Sequence, residues 1–187
     1  MDKAALITGG AKRVGKRICL YLAEKGYDIA LHFNRSGNEA EETAEAVRSH
    51  GVECEIFQCD LSDMNRVGRL VPRVLERFPN ISLLINNASV FEDTRFHEIT
   101  EETFDRDFTV NFKTPVFISK AFSRATKAEH IINMLDMRVG KVETEHFIYN
   151  LSKKALRDFT QSAAKALGPG IRVNGICPGP IMRPPGQ

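Results

Sequence analysis

The sequence predicts a single α/β domain built on a doubly wound parallel sheet, with strand order 3-2-1-4-5-6 and helices on both faces. Strand-length apolar runs alternate with helix-length segments along the whole chain, which is the pattern of repeated βαβ units. Several of these runs, Leu83-Leu84-Ile85 and Ile131-Ile132 among them, are apolar without alternation, as expected of strands covered on both faces. A small-residue turn, Gly9-Gly10-Ala11, stands between the first strand and the first helix, where such sheets bind ligands.

The first strand is expected at residues 4–8, and the helix after it at 14–25, stopped by Gly26 in the position of a C′ glycine. The second strand, 28–33, leads to a helix at 38–49 with Asn38 as candidate N-cap and Gly51 beyond its end. The third strand, 54–59, precedes a helix at 64–78 for which Ser62 is the candidate cap. A fourth strand at 82–86 is followed by one long helix over 101–126, opened by Thr100 and by Glu101-Glu102, whose charge suits a helix N-terminus. Phe104, Phe108 and Phe112 give that helix an apolar stripe for the core or a subunit interface. The fifth strand, 130–135, the last helix, 147–167, and the sixth strand, 171–176, complete the series, with Gly168-Pro169-Gly170 ending the helix.

A chain of 187 residues suits one such domain and is too short for two. With 42% hydrophobic and 27% charged residues, it is a globular composition rather than a disordered one. A net charge of +2 is too small to imply a nucleic-acid or membrane partner by itself, so any basic feature must be local. Cys19, Cys54, Cys59 and Cys177 have neither zinc-site nor disulfide-framework spacing, so free thiols and no metal are expected. The N-terminus enters a strand at once, without signal-peptide features, and no apolar run reaches the roughly 18 residues of a membrane span. A cytoplasmic location is the expectation.

The turn Thr8-Gly9-Gly10-Ala11-Lys12-Arg13-Val14-Gly15 lets backbone approach a pyrophosphate at a helix N-terminus. Glycines alone also serve any tight connection; the position between strand and helix is what favours a dinucleotide. The second strand ends in His32-Phe33-Asn34-Arg35-Ser36, without the acid that would hold both ribose hydroxyls of NAD. Arg35 and Ser36 instead suit the 2′-phosphate of NADPH. Asp60-Leu61 and Asn87-Ala88-Ser89 follow the third and fourth strands on the same ligand-binding edge, although Asp, Asn and Ser are also ordinary turn residues.

Tyr149 and Lys153 lie four residues apart in the last helix and share a face. The lysine charge is expected to lower the phenol's pKa and make it a usable general acid. Asp136 stands just before them, after the fifth strand. Its plain alternative is to bind turn amides.

Together these features resemble the short-chain dehydrogenase/reductase family over essentially the whole chain: the Thr8-to-Gly15 turn, Asp60-Leu61, Asn86-Asn87-Ala88, Val110-Asn111, Tyr149 with Lys153, and Pro178-Gly179. The resemblance implies a Rossmann-type fold, a proton transferred by Tyr149, a nicotinamide ribose held by Lys153, and a relay water held by Asn111. It also implies cofactor contacts from Pro178 and Gly179 and a homotetramer.

Two departures sharpen it. Arg13 stands where most members have glycine, and Asp136 where most have a catalytic serine. With Asn87-Ala88-Ser89-Val90-Phe91 and Asn133-Met134-Leu135-Asp136, the chain is similar to the pteridine reductases. A carboxylate cannot donate to a ketone oxygen, but it can accept from the N–H groups of a pterin. Substrate contacts are then expected from Arg13, Ser89, Phe91, Asp136 and Tyr149, with Phe91 stacking on the flat ring; its plain alternative is a core position. The expected reaction is NADPH-dependent reduction of a pterin or dihydrofolate-like C=N bond. The rival readings are a general carbonyl reductase for 3-oxoacyl or sugar substrates, and a silent NADP-binding sensor. Family members continue past Pro184-Pro185-Gly186-Gln187 into another helix and a seventh strand, so the chain is expected to lack its distal residues.

Overall fold

The computed structural model describes residues 3–182; Pro184-Pro185-Gly186-Gln187 lies outside that range. Strands β1 (Ala4–Ile7), β2 (Asp28–Phe33), β3 (Cys54–Gln58), β4 (Ile81–Asn86), β5 (His130–Met134) and β6 (Arg172–Ile176) form one sheet in the order β3-β2-β1-β4-β5-β6. Each neighbouring pair is parallel. The helices are α1 (Arg13–Glu24), α2 (Gly37–Arg48), α3 (Met64–Arg77), α4 (Glu101–Phe108), α5 (Thr114–Phe122) and α6 (Phe147–Leu167).

Side chains on a strand point alternately to the two faces, and β1 divides the core accordingly. Ala4 and Leu6 join Val67, Leu70 and Val74 of α3, Ile118 and Phe122 of α5 and Ala163 of α6 on one face. Ala5 and Ile7 join Cys19 and Leu22 of α1 and Ala40, Ala44 and Val47 of α2 on the other. All four β1 residues are fully buried, which is why the run is apolar without alternation. Each fully buried Leu or Ile contributes about 1.5–3 kcal/mol.

The register sets the functional edge. Ile7 lies beside Leu31 and Ile85, and Asn86 beside Asn133, so the loops leaving β1, β2, β4 and β5 emerge together. The order reverses at β1, with β2 on one side and β4 on the other, which opens the crevice where ligands bind in such sheets.

Local expectations held unevenly. Gly26 and Gly51 adopt φ of 79° and 80° past the ends of α1 and α2, the left-handed geometry glycine accepts without strain. Thr100 caps α4 through a reciprocal pair with Thr103. The caps expected at Asn38 and Ser62 are one or two residues off: Ser36 precedes α2, and Asp63 caps α3 by accepting from the Asn65 and Arg66 amides. Asp63 is the better placed acceptor, while Ser62 hydrogen-bonds Asp60.

The single helix expected over 101–126 is also corrected. It is broken by a π-helical segment at Thr109–Lys113 and ends at Phe122. Asn111 sits in that segment, and its side chain is drawn into hydrogen bonds with two other elements, a tertiary demand that periodicity does not register. At the far end the Ser123 hydroxyl turns back to the Lys120 carbonyl. Phe104 and Phe108 stack with centroids 4.6 Å apart, Phe104 remains exposed, and Phe112 packs against Leu135, Val139 and Leu156.

Candidate active site

The turn after β1 is pinned from three sides. The Asn87 side-chain amide donates to the Thr8 and Gly9 carbonyls at 2.9 and 3.1 Å. The Thr8 hydroxyl accepts from the Asn87 and Ala88 amides. The Gly9 amide donates to His32 Nδ1 at 3.0 Å, and the Gly10 amide to the His32 carbonyl at 2.9 Å. A Cβ on Gly15 would collide with the Gly9 carbonyl, so glycine there is what lets α1 close against the turn. Helix α1 has no side-chain cap and no acid in its first turn; its first amides face the cleft and suit an anion. Arg13 adopts φ of 53°, a left-handed geometry that costs a residue with a Cβ roughly 1–2 kcal/mol. The turn therefore keeps a glycine-like backbone while carrying an arginine side chain.

The cleft has a volume of about 780 Å³ and runs from this turn past Asn34, Arg35 and Ser36 to Asp60 and Leu61, and back along Asn87, Ala88 and Ser89. Lys12, Val14 and Gly15 border it as well. The Asp60 carboxyl accepts from the Ser62 amide and hydroxyl, which hold it below the usual carboxylate range. Leu61 is buried, and its carbonyl accepts from Thr114. His32 is 1% exposed; its Nε2 donates to the Cys59 carbonyl at 2.9 Å, given that Nδ1 accepts from Gly9. Burial holds its pKa at about 4. His32 thus braces the turn from beneath, with neither ring nitrogen open to a ligand.

The reactive group gathers at the ends of β4 and β5 and on α6. Asp136 follows β5, and its two carboxyl oxygens have separate partners: Oδ1 accepts the Arg138 amide at 2.8 Å, and Oδ2 accepts the Tyr149 hydroxyl at 2.9 Å. The turn-amide role holds on one oxygen, and the other is in direct contact with Tyr149. Lys153 is 3% exposed, donates to the Met134 carbonyl at 2.8 Å, and lies 5.7 Å from the centroid of the Tyr149 ring. Burial lowers its pKa to about 8.

Tyr149 departs from expectation. Its pKa is raised rather than lowered, first by burial and then by the charge and hydrogen bond of Asp136. Only the Arg138 charge opposes the rise; the Lys153 ammonium is turned to a backbone carbonyl. Tyr149 is accordingly a firmly protonated donor.

Asn111 joins this group to the cofactor side. Its Oδ1 accepts from the Ser89 hydroxyl and the Val90 amide, and its Nδ2 donates to the Val90 carbonyl and the Ser152 hydroxyl. Phe91 is 53% exposed, so it is not a core residue. It stacks on His146 at 4.0 Å and meets the Tyr149 ring edge-on at 4.7 Å. Pro178 accepts the Met137 amide, which holds the segment carrying Pro178 and Gly179 against the Asp136 loop.

Sequence reasoning assigned no role to three contributors. Asn86 donates to Asn133 Oδ1 and Ser119, and Asn133 donates to Thr160, a buried polar brace beneath the reactive loops. Paired asparagines closing the apolar runs of β4 and β5 were the available signal. His146, with φ of 48°, and Arg138, whose guanidinium lies 5.8 Å from the Phe91 centroid, left no periodic signature. Among the described residues, no group of three or more His, Cys, Asp or Glu could hold a metal ion, and no helix is long and apolar enough to cross a membrane. All four cysteines are unpaired thiols.

This arrangement, a cleft of about 780 Å³ along the strand ends with a Tyr-Lys pair on the neighbouring helix α6, recurs in known proteins. The short chain dehydrogenase family matches residues 3–185. Among solved structures, FolM alternative dihydrofolate reductase 1 from Brucella suis, in complex with NADP, is 38% identical with a TM-score of 0.91, covering 97% of this chain and 77% of that one. Acetoin dehydrogenase YohF from Salmonella typhimurium is 26% identical with a TM-score of 0.94, covering 99% and 75%. The 3-oxoacyl-[acyl-carrier-protein] reductase FabG of Staphylococcus aureus is 32% identical over 97% of this chain and 76% of its own length. The chain spans about two thirds to three quarters of the curated relatives it matches. The fold, the cleft and these matches agree: the chain belongs to the short-chain dehydrogenase family of oxidoreductases.

Proposed function

We propose that the protein is an NADPH-dependent reductase of a pterin or dihydrofolate-like substrate. The observation that carries this reading is the 2.9 Å hydrogen bond from the Tyr149 hydroxyl to Asp136 Oδ2. It sets an acceptor where most of the family has a serine donor, which suits a ring bearing N–H groups better than a ketone oxygen. The FolM reductases from Brucella suis and Brucella canis, both in complex with NADP and both 38% identical, support it.

NADP fits the cleft on the chain's own residues. The uncapped first turn of α1 would take the pyrophosphate, Arg35 and Ser36 the 2′-phosphate, Asp60 and Leu61 the adenine edge, and Lys153 with Asn87 through Ser89 the nicotinamide half. Bound NADPH supplies the hydride delivered to the substrate C=N carbon. Tyr149, kept protonated by burial, supplies the proton to the nitrogen. Asp136 orients the donor and accepts from the ring, and the Lys153 ammonium stabilises the phenolate that remains. Phe91 offers the flat ring an apolar surface at the mouth of the site.

A second reading, reduction of a ketone, rests on the FabG and acetoin dehydrogenase relatives. A silent sensor is disfavoured because Tyr149 and Lys153 are both retained and lie side by side, the ammonium 5.7 Å from the phenol ring centroid. Absorbance assays of NADPH oxidation with dihydrobiopterin, dihydromonapterin and dihydrofolate beside a ketone panel decide between them: turnover of a pterin supports the proposal, and turnover of ketones alone overturns it. The same reading carries a cytoplasmic homotetramer, testable by light scattering on the full-length chain.

A further inference from the structure

Arg138 is tied to the reactive loop by Asp136, whose Oδ1 accepts the Arg138 amide at 2.8 Å. That bond opens the 3-10 turn Met137–Gly140 and fixes where the side chain leaves the backbone. The guanidinium carbon then lies 5.8 Å from the centroid of Phe91, which itself meets Tyr149 edge-on. The group is close enough to Tyr149 for its positive charge to oppose the rise in the phenol's pKa. Arg138 therefore stands beside the Asp136–Tyr149 pair, on the β5–α6 connection.

Its position sets it apart: Arg73 also lies over an aromatic ring, Phe57, but among the described residues only Arg138 does so beside Asp136 and Tyr149. Arg77, Arg106 and Arg157 each pair with carboxylates. The Arg138 guanidinium has no hydrogen-bond or ion-pair partner among the described residues; its one recorded contact is with the face of Phe91. An aromatic face holds a guanidinium plane in place and leaves its N–H fork directed outward. Such a fork matches the two oxygens of a carboxylate.

We propose that Arg138 is a specificity residue that pairs with a carboxylate on the side arm of the substrate, so that the enzyme favours folate-like anions over neutral pterins. The inference rests on the pterin reading above. A ring lying beside Phe91 with its edge at Asp136 and Tyr149 would extend its arm toward the Arg138 guanidinium. Dihydrofolate, whose glutamate arm carries carboxylates, has the required chemistry. Dihydrobiopterin, with a neutral hydroxylated arm, does not.

The test uses the full-length enzyme saturated with NADPH or NADP. The ratio of kcat/KM for dihydrofolate to that for dihydrobiopterin is expected to fall about tenfold in Arg138→Gln, through KM for dihydrofolate, and to be partly restored in Arg138→Lys. Binding of methotrexate and of 2,4-diaminopteridine, which share a ring and differ in the anionic arm, gives a readout independent of turnover. Methotrexate is expected to lose about tenfold relative to the bare ring in Arg138→Gln, and in the wild type its affinity is expected to fall with added salt. Unchanged ratios in both assays, with the rings still bound, overturn the role of Arg138 alone. Failure of the wild type to bind either ring overturns the pterin reading and this inference with it.

Discussion

Tyr149 and Asp136 form one hydrogen-bonded unit: the phenol donates to Oδ2 at 2.9 Å, while Oδ1 is fastened to the Arg138 amide. Because the second oxygen is anchored, the carboxyl plane is set by the backbone of the β5–α6 connection and not by the tyrosine. The proton donor and its acceptor are thereby aligned before any substrate arrives.

Tyr149→Phe removes the transferable proton and nothing else of size. Turnover is expected to fall by about 10²–10⁴, with NADPH affinity and thermal stability close to wild type. Cofactor titration by fluorescence beside steady-state assay checks this; retained turnover would assign the proton to another group.

Lys153 sets the alkaline limit. Burial lowers its pKa to about 8, and the ammonium is the form that stabilises the phenolate. The profile of kcat/KM for NADPH, which reports the free enzyme, is expected to decline as pH rises through about 8. The sign for stability is opposite. The native state binds fewer protons at this site than the unfolded chain between about 8 and the ordinary lysine value, so this group's contribution to stability rises with pH across that window. A rate profile flat to about pH 10 contradicts the assignment.

His32 braces the phosphate turn, and its two nitrogens can be tested separately. Asn at this position can accept from the Gly9 amide as Nδ1 does, whereas Gln can donate to the Cys59 carbonyl as Nε2 does. His32→Asn is expected to keep more NADPH affinity than His32→Gln, although both lose stability. In the wild type the folded pKa of about 4 lies below the ordinary histidine value. The unfolded chain therefore takes up the proton first, and stability falls as pH drops from about 6.5 to about 4, by roughly 3 kcal/mol in all. Urea midpoints across that range, compared with the Asn variant, measure it.

Arg35 is exposed at the cleft beside Ser36. Arg35→Ala is expected to lower the ratio of kcat/KM for NADPH to that for NADH about tenfold, since a charge-assisted phosphate contact contributes about 1.5–3 kcal/mol. Equal losses with both cofactors would place the 2′-phosphate elsewhere.

Much of this was legible in the chain itself. The strand positions followed from uninterrupted apolar runs, because burial on both faces removes the polar alternation that would obscure them, and the strand order followed from the doubly wound fold class they implied. The Tyr149–Lys153 pair followed from helical spacing. What escaped was set by contacts between distant segments. The break in the helix at Thr109–Lys113 serves an asparagine bonded to the β4 loop and to α6. The raised pKa of Tyr149 reflects burial and a carboxyl brought in from another element. The role of His32 depends on a turn and a strand end that only folding brings to its two nitrogens. Spacing along one helix could announce a partner for Tyr149, but not which of two partners would lie closer.

The most direct test of the account is the kcat/KM ratio for dihydrofolate against a ketone such as acetoin in the wild type and in Asp136→Ser. Serine supplies the donor a ketone oxygen needs and replaces the carboxylate, the stronger acceptor for pterin N–H groups, with a neutral hydroxyl. The ratio is expected to fall by about 10² or more, with losses on the pterin and gains on the ketone. An unchanged ratio would contradict the claim that Asp136 selects the substrate.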